Sequence, residues 1–178
     1  MRMPKKWLGE ERRNKIHTML KAAGSPLTGT QLADRMNVSR QVIVQDISLL
    51  KAREIPVMAT SQGYVLVDRE PGSPNHRVVA CCHKPDQTKD ELFLLVDHGI
   101  TVKDVTVEHP VYGDLTASIM VSNRVEAEKF VAKIEANNAS YLSELTDGVH
   151  LHTLEAPSPE LLEEAIEALA KEGFLLNE

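Results

Sequence analysis

The chain has 178 residues, 42% of them hydrophobic and 26% charged, with a formal net charge of −6, the balance of a globular protein with one large domain or two small ones. No stretch approaches the roughly 18 to 20 apolar residues of a membrane span. Met1-Arg2-Met3-Pro4-Lys5-Lys6 leads into charged residues and not into the apolar core of a signal peptide, so no membrane association and a cytoplasmic location are expected.

Charge is divided unevenly along the chain. Residues 1–68 carry 11 Lys+Arg against 6 Asp+Glu, whereas residues 69–178 carry 9 against 20. Only the first part is suited to approach a polyanion. From Glu10 to Ala23, Ile16, Met19, Leu20 and Ala23 fall at i, i+3, i+4 and i+7, the stripe of an amphipathic helix. Thr28-Gly29-Thr30-Gln31 has capping-box spacing and starts a second helix, Asn37-Val38 makes a turn, and Ser39 caps a third helix running to about Arg53. Ile43, Ile47 and Leu50 turn one side of that helix inward, leaving Arg40, Gln41, Val44, Gln45 and Ser48 on the opposite side.

A short helix, a tight turn and a helix with a polar outer face form a helix-turn-helix, whose second helix enters the major groove. Arg40, Gln41 and Gln45 can donate to base edges, and Val44 can touch a thymine methyl. Ser39 sits at the helix start, and Lys51 and Arg53 suit phosphate. Asp46 and Glu54 are read as lying near the same face, against the attraction. Residues 56–60 and 64–67 read as a β-hairpin, or wing. With Leu32-Ala33, Val38-Ser39-Arg40-Gln41, Asp46-Ile47 and Leu50, this part resembles the winged helix-turn-helix of bacterial repressors related to the biotin repressor's N-terminal domain. A protein-interaction module is the other reading. Pro71, Gly72 and Pro74 break periodic structure and mark a linker over 69–75, a candidate hinge, between a DNA-binding domain (1–68) and a second domain (76–178).

In the second domain His76–Cys82 reads as a buried strand ending at His83, and Gln87–His98 as a helix stopped by Gly99. Adjacent Cys81 and Cys82 lack CxxC spacing and read as small buried hydrophobes. Ile100–His109 and Asp114–Ser122 read as strands joined by a hairpin through Pro110-Val111-Tyr112-Gly113. Asn123–Ala136 follows as a helix with Val125, Phe130, Val131 and Ile134 inward. The strand bearing His150 and His152 comes next, then a helix opened by Pro157-Ser158-Pro159 and a short strand Phe174–Leu176. The order βαββαβ, then αβ, predicts an α+β protein: a winged helix-turn-helix followed by an α/β sandwich with a ferredoxin-like core.

Alternate residues of a strand share a face, so His150 and His152 can grip one ion while Val149 and Leu151 face a core. An isolated pair of this kind is equally a surface feature. His83, at a strand end, and Glu91, on the edge of the helix stripe, can complete a set of three imidazoles and a carboxylate. That set suits zinc, nickel, cobalt or iron, and its lack of a thiolate argues against a purely structural zinc knot. Taken singly, His83 is also a solvated strand-end histidine and Glu91 an ordinary helix carboxylate. His109 points inward beside Pro110 and near Tyr112, and either binds an aromatic carboxylate or ties down the hairpin.

His83 with Glu91, Val107-Glu108-His109-Pro110-Val111-Tyr112-Gly113 and Gly148-Val149-His150-Leu151-His152-Thr153 together resemble the signature blocks of the three-histidine (3H) domain. Behind a winged helix, that domain resembles the niacin-responsive repressors of bacterial NAD biosynthesis and niacin uptake. The resemblance implies a homodimer and nicotinic acid as co-repressor. It also implies a divalent metal, nickel or zinc with iron or cobalt as alternatives, on the residues matching His83, Glu91, His150 and His152. Double-stranded operator DNA is the implied partner, and no catalysis is expected. Two other readings of the same residues are a small metal-dependent hydrolase or oxygenase and a dimerisation module with a structural metal.

Overall fold

The computed structural model describes residues 7–67 and 72–177; part of the linker, residues 69–71, lies outside them. Three helices, α1 (Gly9–Ala22), α2 (Gly29–Met36) and α3 (Arg40–Ala52), precede the wing strands β1 (Val57–Thr60) and β2 (Gly63–Leu66). The predicted caps form. Thr28 Oγ1 accepts from Gln31 N at 3.1 Å while Gln31 Oε1 accepts from Thr28 N at 2.8 Å, and Ser39 Oγ accepts from Val42 N at 3.3 Å. Ile16, Leu20, Leu32, Ile43, Ile47 and Tyr64 share one apolar core.

The second part runs β3 (His76–Cys82), α4 (Thr88–Asp97), β4 (Thr101–His109), β5 (Gly113–Val121), α5 (Arg124–Ala136), a 3-10 segment (Leu142–Thr146), β6 (Val149–Glu155) and α6 (Pro159–Lys171). The α+β class is as expected, with an antiparallel sheet and helices packed on it. The strand order is β2-β1-β5-β4-β6-β3, which corrects two expectations. In a ferredoxin-like core the third strand fills the gap between the first and second; here β6, the fourth, lies between β3 and β4. The wing is also not a free hairpin: Thr60 of β1 pairs with Gly113 of β5, so the DNA-binding part and the second part share one sheet. The register requires a glycine there, because Gly113 has φ +80° and a Cβ would lie 2.4 Å from Ala59 O.

Both faces of β6 are covered. His150, His152 and Leu154 are buried on the side of α4 and α6, while Val149 and Leu151 are buried on the opposite side, where α3 packs on β3 and β6. On α5, Ala127 and Val131 are buried, but Val125 is 59% exposed. Val125, expected inward, belongs to the outward row that continues through Glu128 and Lys129 at i+3 and i+4. The predicted last strand is a single bridge, Cys81 to Leu175, flanking the outer edge of β3.

Candidate functional site

Register brings the site together. Cys81 pairs with His150 and Val79 with His152, and His83 follows Cys81 on the same face by the two-residue period of the strand. Glu91, in the first turn of α4, descends onto them. Its Oε2 lies 2.7 Å from His83 Nε2 and 3.3 Å from His152 Nε2, and its Oε1 lies 3.3 Å from His150 Nε2. His83, Glu91, His150 and His152 are all buried.

The far side of each ring decides what the near side can do. His83 Nδ1 lies 2.9 Å from Lys84 O, His150 Nδ1 2.7 Å from Gly148 O, and His152 Nδ1 2.7 Å from Asp104 O. A carbonyl oxygen only accepts, so each Nδ1 carries a proton and each neutral ring aims the lone pair of Nε2 at Glu91. A carboxylate also only accepts. Three lone pairs and a carboxylate converging in a buried space require a cation among them, either protons or a metal ion.

The electrostatics agree with that demand. Burial opposes the charge of Glu91, yet the imidazoles, His152 foremost, hold its carboxyl well below the ordinary value. Burial also opposes protonation of His83 and His152, but hydrogen bonding and attraction from Glu91 raise both. At His150 burial wins and the ring is lowered. The donor set therefore fits a borderline divalent ion. Cys81 sits beside it, its Sγ within 4.8 Å of a ligand atom each of Glu91 and His150, and burial holds its thiol well above the ordinary value. Cys81 was read as a small hydrophobe, although its two-residue offset from His83 placed it on the ligand face.

Beside the cluster is an apolar cavity of about 140 Å³, lined by Glu91, His150 and His152 together with Val105, Ala117, Ile119, Phe130 and Tyr141. Thr88, at the start of α4, also lines it. Its hydroxyl is buried without a hydrogen-bond partner, a cost that a polar ligand would relieve.

A 3H domain family matches residues 76–178 and an HTH domain family matches residues 12–65. The chain is 54% identical over 175 residues to "Transcription repressor NadR" of Bacillus subtilis (strain 168), covering 97% of each chain. It is 43% identical over 176 residues to "Probable transcription repressor NiaR" of Thermotoga maritima, covering 99% of each. The chain belongs to the 3H-domain transcription repressors. It is a DNA-binding regulator and not an enzyme, and no helix among the described residues is long and apolar enough to cross a membrane.

The other predicted residues of this 3H-domain repressor are distributed as follows. Ser39, Arg40 and Gln41 are exposed at the start of α3, and Val44 and Gln45 are half-buried. Lys51, expected at a phosphate, instead reaches Asp114 Oδ1 at 2.6 Å, and Asp114 Oδ2 accepts from Ala59 N at 3.1 Å. Asp46 is not near the DNA face. It is buried against Arg12 and Arg13. His109 and Tyr112 occupy the β4–β5 hairpin and do not line the cavity beside Glu91. His109 Nδ1 accepts from Val111 N at 3.1 Å and Tyr112 N at 3.3 Å, the hairpin-tying alternative, and Tyr112 is 68% exposed.

Proposed function

We propose that this repressor is a cytoplasmic homodimer that controls NAD-biosynthesis and niacin-uptake genes, with nicotinic acid as co-repressor and a divalent metal in its second domain. In this reading residues 1–68 bind operator DNA, 69–75 link, and 76–178 bind metal and effector and dimerise. The observation that carries it is the convergence of three imidazole Nε2 atoms on Glu91 at one wall of an apolar cavity. His83, Glu91, His150 and His152 would hold nickel, zinc, cobalt or iron, and the bound ion would supply a positive charge for a carboxylate ligand. Val105, Ala117, Ile119 and Phe130 offer flat apolar contact to a single aromatic ring, and Thr88 offers a hydroxyl to its polar edge. His109 and Tyr112 are too far out on the hairpin to take part in this cavity.

Regulation then follows from linkage. A ligand that binds better to the DNA-competent arrangement tightens operator binding by its difference in affinity, typically about 1–3 kcal/mol. Arg40, Gln41, Val44 and Gln45 read the bases from α3, with Ser39 at its start. The test is binding of the full chain to DNA from upstream of candidate niacin-transport or NAD-synthesis genes at fixed salt, with nicotinic acid and with nicotinamide as control. Tighter binding with nicotinic acid alone supports the reading; binding indifferent to both compounds refutes the effector.

A further inference from the structure

The wing has a neighbour of the same shape. Thr60, the last residue of β1, pairs antiparallel with Gly113, the first residue of β5. The turn that follows β1, Ser61-Gln62, and the turn that precedes β5, Pro110-Val111-Tyr112, therefore leave the sheet at the same end, side by side. Further bonds lock them together. Ala59 N donates to Asp114 Oδ2 at 3.1 Å, Lys51 Nζ donates to Asp114 Oδ1 at 2.6 Å, and the Tyr64 hydroxyl of β2 donates to Glu108 of β4. Neighbouring strands lie about 4.8 Å apart, and the major groove alone is about 12 Å wide. A duplex that meets the wing tip meets the hairpin tip as well.

The hairpin tip is suited to phosphate although the second domain as a whole is acidic. Both carboxylates that flank it are turned to partners of their own, Glu108 to Tyr64 and Asp114 to Lys51 and Ala59. Between them, His109-Pro110-Val111-Tyr112-Gly113 contains no acid. His109 Nδ1 accepts from Val111 N and Tyr112 N, so the neutral ring carries its proton on Nε2 and offers a donor there. A polar groove joins His109 and Pro110 to Ser61 and Gln62 of the wing tip and to Arg40, the first residue of α3. Arg40 forms no ion pair among the described residues. Val111 is 62% exposed and belongs to neither apolar core.

We propose that the β4–β5 hairpin is a second wing: its tip, Pro110 to Tyr112, rides on the sugar-phosphate backbone of duplex DNA beside the first wing, and His109 Nε2–H donates to a phosphate oxygen. The second domain then touches DNA directly. The inference deepens the DNA-binding reading and rests on DNA binding alone, not on metal or nicotinic acid. Backbone contacts position a protein without reading sequence, so it is also independent of which genes are controlled.

The experiment measures affinity of the full chain for a candidate operator and for an unrelated duplex across a salt series, comparing the parent with Val111→Lys and Val111→Glu. Val125→Lys and Val125→Glu are the controls, made at a residue 59% exposed on α5, beyond the opposite end of the nine-residue β5. Val111→Lys is expected to tighten binding roughly 3-fold to 10-fold and to steepen the dependence of log affinity on log salt by about 0.9. Val111→Glu is expected to weaken it by a similar factor, with a loss that shrinks as salt rises. A purely structural hairpin would move both variants in one direction. Changes of the same sign, or no larger than those of the Val125 pair, overturn the proposal. His109→Asn keeps an acceptor for the two amides and removes the outward N–H; a loss of roughly 2-fold to 10-fold supports the donor, and an unchanged affinity overturns that contact. A parent that binds the candidate operator no better than the unrelated duplex refutes the assignment of genes, and the charge comparison on the unrelated duplex still decides the second wing.

Discussion

Two buried carboxylates, Asp46 and Glu91, are each about 1% exposed, and they show opposite chemistry. Asp46, on α3, is met by Arg12 at 3.0 Å and Arg13 at 3.5 Å, permanent cations that leave the pair complete in the folded chain. Glu91, on α4, is met by three imidazoles whose protons are committed to backbone carbonyls on the far side. The first cluster is a finished structural joint between α1 and α3. The second is balanced only when a proton or a metal ion is added, and that makes it a site.

The contrast breaks most visibly at Asp46. Asp46→Ala takes the carboxylate from the half-buried Arg12 and leaves the buried Arg13 with Glu10 as its remaining carboxylate, and a loss of about 3–5 kcal/mol is expected in urea unfolding. Glu91→Gln should do less to the metal-free protein, because the neutral amide still offers the imidazoles a donor. Metal loading is the next effect in size. At a metal concentration about 100-fold above Kd the parent should gain about 2.7 kcal/mol, read as a rise in Tm. His150→Ala with His152→Ala should lose both that gain and the metal itself; an unchanged metal content in the double variant would remove these residues from the ligand set.

The junction between the two parts is a smaller target. Asp114→Asn weakens the tie to Lys51 and is expected to cost about 0.5–1.5 kcal/mol, with a larger relative effect on the response to nicotinic acid than on DNA affinity itself. Near it, Glu108 hydrogen-bonds to the Tyr64 hydroxyl. Burial holds the Glu108 carboxyl above its ordinary value of 4.5, against that bond and the nearby Lys51 and Arg40 charges. The folded state therefore holds this proton more tightly than the unfolded chain does. The contribution to stability is intact below about pH 4.5 and is lost as pH rises through the higher folded value. Glu108→Gln should flatten that part of the curve, so its unfolding free energy should fall less than the parent's between about pH 4.5 and pH 7. Parallel curves for the two proteins would contradict the assignment.

The clusters also differ in how legible they were. Local rules carried the capping box at Thr28, the Ser39 cap and the helix bounds, since each depends on residues within a turn of one another. The 83/91/150/152 set was legible because strand period and family motif agreed. Asp46 was misplaced: a carboxylate was read as solvent-facing, whereas its partners Arg12 and Arg13 lie 34 and 33 positions earlier on α1, a separation no period reports. Lys51 and Asp114 are 63 positions apart, and the fusion of wing and second sheet through Thr60 and Gly113 was hidden for the same reason. Thr88 was invisible as a ligand candidate because its significance is an absent partner, which only packing reveals.

The central claim is that the Glu91 cluster is an incomplete site whose occupation controls DNA binding. Its most direct test is the effect of nicotinic acid on DNA affinity, measured in parallel on metal-loaded and metal-stripped protein at one salt concentration. Tightening by about 5-fold or more in the loaded protein and none in the stripped protein is the predicted result. Equal tightening in both would show that the effector works without the cluster and would contradict the account.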